Sequence, residues 1–136
     1  MPKSPPLVFI DTNVWFSAFY GSENAEKLIK AHIDGKIKAV ISRKVLTELT
    51  RNIKGKIPQA LPNLKKFLEA APPIVLKDPL KISQNVKKSV NQKDRIIFQS
   101  ALDAKIPLFV TGNLKDFNAL TKVISPKKAL GILKLS

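Results

Sequence analysis

Apolar residues along this chain fall into two alternating patterns. Short unbroken runs occur at residues 7–10, 38–41, 74–76, 108–110 and 122–124. They are continuous rather than alternating, and rich in β-branched and aromatic residues, which predicts strands buried on both faces. Between them, Ala25, Leu28, Ile29, His32 and Ile33 recur at helical spacing after Ser22, with Gly35 as the stop, and Val45, Leu46, Leu49 and Ile53 do the same between Ser42 and Gly55. Ile82, Val86 and Val90 make a third stripe and Ile96, Ile97, Ala101 and Ala104 a fourth, while a helix over residues 64–70 fits between the prolines of the middle stretch. Asp78 before Pro79 reads as a helix N-cap with proline in the first turn. Strands alternating with helices predict β-α-β units. The expectation is a three-layer α/β/α fold with a mainly parallel four- to five-stranded sheet, in a single domain over residues 1–136. Ligands of such sheets bind beyond the carboxyl ends of the strands, so the residues that directly follow strands are the first candidates for chemistry.

Composition narrows that chemistry. The chain has no cysteine and one histidine, His32. Disulfides, thiolate zinc sites, Cys nucleophiles and His-rich metal clusters are excluded, and the lack of cysteine fits a reducing compartment. The segment MPKSPP lacks the apolar core of a signal peptide, and no run approaches the roughly 18 apolar residues of a membrane span. These features give the expectation of a cytoplasmic protein with no membrane segment. The 24 Lys and Arg, 21 of them Lys, against 10 Asp and Glu leave a formal charge of +14. That excess suits a polyanionic partner such as RNA, DNA or an acidic protein, and equally the solvated lysine-rich surface of a heat-adapted protein.

With so few acids, each is open to inspection. Glu23, Glu26, Asp34, Glu69 and Asp103 read as solvated charges on polar faces or at helix ends. Asp11 interrupts the stretch LVFIDTNVWFS directly after the first strand, as either the N-cap of a helix over residues 13–19 or a ligand to a cation. Glu48 borders the apolar stripe of its helix, paired either with Lys44 or Arg51 or with something in a site. Asp94 opens the helix of NQKDRIIFQSALDA, with Asn91 three residues before it in a pattern like a capping box. In LFVTGNLKDF the fourth strand runs into a Thr-Gly turn that carries Asn113 and Asp116. Taken singly, each has a structural explanation. Taken together they converge on one edge of the sheet, where carboxylates repel by about 1 kcal/mol per pair at 4 Å even in bulk water. One or two Mg²⁺ or Mn²⁺ ions would relieve that repulsion and polarise a phosphodiester, using oxygen ligands alone.

The stretches VFIDTNVWFSA, VISRKVLTEL, KDRIIFQSALDAKIPLFVTGNLKDF and VISPKKAL, in this order, resemble the PIN-domain nucleases, in particular the small prokaryotic branch that includes VapC-type toxins. The resemblance implies a metal-dependent ribonuclease with Asp11, Glu48, Asp94 and Asp116 as catalytic acids. It implies Mg²⁺ or Mn²⁺ held by Asp11, Asp94, Glu48, Asn113 and Asp116, with Thr12 and Asn13 supporting them, and a product carrying a 5′-phosphate. It also implies a homodimer and a small antitoxin as partners. Many members carry Asp where this chain has Asn113, and an acid where it has Lys93. Both departures lower the local negative charge and leave open one metal or two, with Asp116 as the stand-in ligand. Arg43, Lys44, Arg51, Lys93, Arg95 and Lys115 flank the acids, either as a rim that guides RNA phosphates or as local charge balance. Trp15, Phe16, Phe19 and Tyr20 suit the core better than base stacking, and His32 suits packing. Two alternatives stand beside a toxin: an RNA-binding module weakened in catalysis, and an RNA-processing nuclease without an antitoxin.

Overall fold

The computed structural model describes residues 4–117 and 122–135; the start of the MPKSPP segment lies outside them. Five strands, β1 (Leu7–Ile10), β2 (Lys38–Ser42), β3 (Ile74–Leu76), β4 (Leu108–Val110) and β5 (Val123–Ile124), form one sheet in the order β3-β2-β1-β4-β5. Every pairing is parallel, with Phe9 opposite Val40 on one side and Phe109 on the other. Seven α-helices among the described residues complete the three-layer α/β/α fold: α1 (Thr12–Tyr20), α2 (Glu23–Ile33), α3 (Arg43–Lys56), α4 (Leu61–Ala70), α5 (Gln84–Ser89), α6 (Arg95–Asp103) and α7 (Pro126–Ile132). No described helix is long and apolar enough to cross a membrane.

Strand order dictates where a site can form. The chain moves from β1 outward to β2 and β3, then returns past the start to β4 and β5. Right-handed crossovers send these two halves over opposite faces, so the sheet has its switch point between β1 and β4. α6 covers the face that carries Phe9 and Phe109, whose rings stack at 5.1 Å, and presents Phe98 edge-on to Phe109. α1 packs against α2 and α3, and α2 against α7. Val8, Phe9, Ile10, Ala39, Val40, Ile41 and Val110 are fully buried at the centre.

Four local expectations are corrected. β3 is not buried on both faces: it is an edge strand, and Ile74 and Val75 are exposed. The stripe from Ile82 to Val90 yields only α5, because Ser83 caps it by accepting from the Val86 amide and Val90 leaves the helix to bridge Phe117. No helix starts at Asp78–Pro79. The Asp78 carboxylate instead accepts the Lys44 amide at 3.0 Å, so it satisfies the first turn of α3 from across the chain. α4 begins earlier than expected, at Leu61, since Pro62 in a first turn forfeits no helical hydrogen bond. His32 is the packing residue expected of it: its Nδ1 accepts from the Ala39 amide and its Nε2 lies 2.8 Å from the Ala71 carbonyl, joining α2 to β2 and to the end of α4.

Candidate active site

Asp11 follows β1 and Thr111 follows β4, so the two face each other at the switch point. The N-cap reading of Asp11 holds. Its backbone is extended (φ −70°, ψ 160°), and Oδ1 accepts the Thr12 amide at 2.8 Å as the N-cap of α1. Oδ2 points the other way and accepts the Thr111 hydroxyl at 2.8 Å. The residue is 4 % exposed. Burial pushes its carboxyl up, the Thr111 and Thr12 hydrogen bonds pull it down, and the charge of Glu48 adds to the rise.

The neighbouring acids arrive from two other elements. Ser42 caps α3 by accepting from the Val45 amide, which sets the helix phase so that Glu48, half-buried, accepts the Thr12 hydroxyl at 3.0 Å. Lys44, one turn back, lies 3.9 Å from the other Glu48 oxygen. Asp94 stands at the junction of a 3-10 turn with α6, and its Oδ2 is buried without a hydrogen-bond partner among the described residues. Its carboxyl is pushed up to about 6, first by burial and then by the charge of Asp11, with Asp116 adding and Lys93 opposing. Asp11, Glu48, Asp94 and Asn113 line one open cleft of about 330 Å³, shared with Thr12, Asn13 and Lys93.

Asp116 is brought close but differently disposed. It is 8 % exposed and absent from the lining of that cleft. One of its oxygens accepts the Asn91 side-chain amide at 2.6 Å, and the other pairs with Lys93 at 3.2 Å. Asn91 is therefore no cap; with the Val90–Phe117 bridge it ties the 3-10 turn to the segment after β4. Asn13 accepts the Gly112 amide at 2.9 Å, and a Cβ on Gly112 would sit 3.3 Å from that same oxygen, so glycine suits the close approach.

The bases divide. Lys44 and Arg51 line a second opening beside Glu48, and Arg43 and Lys115 are exposed. Arg95 spends its guanidinium on the carbonyls of Val90 and Lys87 at the end of α5, which is a structural use. Of the aromatic residues, Trp15 is buried in the core, whereas Phe16 lines the cleft with Lys56 5.6 Å above its ring and Tyr20 stacked on it at 6.0 Å. Thr111 escaped the sequence reading. It looked like part of a turn, and only strand order reveals that it abuts Asp11.

A divalent ion fits these residues in one specific sense. Among the described residues, no three Asp, Glu, His or Cys side chains converge closely enough to hold a metal by themselves. Three carboxylates, Asp11, Glu48 and Asp94, nevertheless share a cleft with two lysines, and Asp94 presents a buried oxygen that no described residue satisfies. Mg²⁺ commonly binds through one or two carboxylates and keeps waters and substrate phosphate in its remaining positions. The donor set is of that kind.

A family model described as PIN domain matches residues 7–115. Among curated proteins, none matches the sequence. Solved structures that share the fold include a toxin-antitoxin complex from Klebsiella pneumoniae (TM-score 0.64, 20 % identity, 88 % of this chain and 97 % of that one), and VapBC2 from Rickettsia felis bound to a DNA fragment from its promoter (TM-score 0.65, 18 % identity, 88 % and 96 %).

Proposed function

The chain belongs to the PIN-domain family, and on that premise we propose that it is a metal-dependent endoribonuclease, the toxin of a toxin–antitoxin pair, using Mg²⁺ or Mn²⁺ and leaving 5′-phosphate ends. The observation that carries the chemistry is the pairing of Asp11 with Asp94 in one cleft at the sheet's switch point, both carboxyls raised and one oxygen without a partner. The +14 charge supports RNA as the substrate. The names of the two solved neighbours support an antitoxin partner, and the family resemblance a homodimer.

Asp11 and Asp94 would hold the ion, with Glu48 beside them and Asn113 offering a neutral carbonyl oxygen. When bound, it supplies the positive charge that polarises the phosphodiester and makes water nucleophilic near neutral pH. This chain's own groups do the positioning. The Thr111 hydroxyl and Thr12 amide fix both Asp11 oxygens, so the carboxylate needs no reorganisation. The Thr12 hydroxyl steers Glu48 toward the cleft, and Lys44 balances it from the rim. Lys56, over Phe16 at the cleft wall, is placed to meet an RNA phosphate beside an aromatic face.

Cleavage of defined RNAs by the purified chain, with Mn²⁺ or with chelator, tests the proposal. Turnover that needs the ion, is lost in Asp11→Asn and yields 5′-phosphate ends supports it; equal cleavage in chelator overturns the metal mechanism. The neutral Asn113 and the cationic Lys93 favour a second reading, an RNA-binding module without turnover, which predicts salt-sensitive RNA binding and no cleavage under any ion.

A further inference from the structure

We propose that Lys93 is a tethered cation standing where a second metal ion would otherwise sit, so that the cleft takes a single divalent ion; this rests on the metal-dependent reading above. Three carboxylates line the cleft and Asp116 lies beside it, joined to the lining residue Lys93, and the chain neutralises the four unevenly. Glu48 has the Thr12 hydroxyl and Lys44. Asp116 has Asn91 at 2.6 Å and the Lys93 ammonium at 3.2 Å, one partner on each oxygen. Asp11 has only neutral donors, and Asp94 has a buried oxygen with none. The deficit of positive charge is therefore confined to the Asp11–Asp94 side. The Asp116 side is already filled from within the chain.

The arrangement is built rather than incidental. Lys93 immediately precedes Asp94 in a 3-10 turn, and the start of the turn is anchored to the segment of Asp116 twice: by the Asn91 side chain on the Asp116 carboxylate, and by the backbone bridge of Val90 with Phe117, in which the Asn91 amide donates to the Asp116 carbonyl at 3.1 Å. That anchoring fixes the Lys93 backbone beside Asp116, so the ammonium reaches the carboxylate at 3.2 Å. An ammonium and a hydrated divalent ion cannot share the space beside one carboxylate without strong repulsion. Asp116 is thus a counter-ion to Lys93 rather than a metal ligand, and it holds Lys93 close to Asp94 and Asp11. Lys93 acts as a positioning residue, setting how many ions the site admits.

The test is a Mn²⁺ titration of the full chain, followed by the loss of the free-ion paramagnetic resonance signal, in wild type, Lys93→Met and Lys93→Arg. The side chain of Lys93 is 66 % exposed, so these substitutions leave the core untouched. Wild type and Lys93→Arg are expected to bind one ion per chain, and Lys93→Met to bind two. Two ions in wild type, or one in Lys93→Met, overturns the proposal. The outcomes separate from those of the parent reading: two ions with Mn²⁺-dependent RNA cleavage removes the role of Lys93 and leaves the nuclease standing, whereas no ion and no cleavage removes both.

Discussion

The Thr111 hydroxyl donates to Asp11 Oδ2 across 2.8 Å, joining the ends of the two strands between which the sheet reverses its order. The Thr111 hydroxyl oxygen in turn accepts the Asn113 amide at 3.1 Å, so one buried side chain sets both Asp11 and the turn that carries Asn113. Thr111→Val keeps the shape and removes these bonds. It is expected to cost about 1–3 kcal/mol, the range for leaving a buried acceptor unpaired, and to raise the Asp11 carboxyl further. Ion affinity should fall, with the pH at half-maximal binding moving upward. Calorimetric Mn²⁺ titrations across pH measure this, and Thr111→Ser should restore wild-type behaviour.

Asp11→Asn separates stability from function. Asparagine is as good an N-cap as aspartate, so α1 keeps its start, while a buried charge beside Glu48 and Asp94 is removed. The metal-free variant is expected to melt at a higher temperature than wild type, and its RNA cleavage to fall by ~10²-fold or more, the scale of losing a positioned acid or base. A variant that melts lower would show that the charge at Asp11 is compensated without an ion.

Asp94 fixes the direction of the pH dependence. Its folded carboxyl is raised to about 6 from 3.8, so between those values the native state holds more protons than the unfolded one. Stability of the metal-free chain therefore falls as pH rises from about 4 to about 6 and then levels off, as far as this group determines it. Thermal melts of wild type and Asp94→Asn over that range check the sign, and the variant should lose this part of the slope. Saturating Mn²⁺ should raise the melting temperature most above pH 6, where protons no longer compete for the carboxylate.

Asp78 has a role far from the chemistry. Its carboxylate serves the Lys44 amide in the first turn of α3, the helix that delivers Glu48. Asp78→Ala is expected to cost roughly 0.5–1 kcal/mol, the lower part of the range for a lost helix cap because the contact is exposed. Urea denaturation reads it, and a midpoint unchanged within error would assign the capping to water.

Lysines along the rim imply a salt response. RNA affinity is expected to fall with salt at a log–log slope of roughly −0.7 per phosphate neutralised. Lys56→Ala should reduce that slope, whereas Arg95→Ala, whose guanidinium is turned onto the carbonyls of Val90 and Lys87, should lower stability and leave the slope alone.

Strands were legible because each is a short apolar run whose burial demands that composition; all five appear within a residue of their expected bounds. Exposure of Ile74 and Val75 was not legible, since whether a strand is central or peripheral depends on pairing order, which no local pattern encodes. The same limit governed the site. Asp11, Glu48 and Asp94 announced themselves as charges in apolar settings, but Thr111 is an ordinary turn residue until β4 lies beside β1. Asn91 and Asp78 were misread as caps of their own segments, because a side chain that satisfies a distant amide or carboxylate looks, in sequence, the same as one that satisfies a near one.

The chain holds a single tryptophan, Trp15, and its amide donates to the Asp11 carbonyl at 3.2 Å in the first turn of α1. Its indole is sealed in the core against Phe67, with the ring N–H buried and unpartnered. The molecule thereby carries its own optical gauge: a fluorophore one helical turn from the residue at the heart of the cleft, shielded from solvent quenchers, and mechanically tied to whatever Asp11 does.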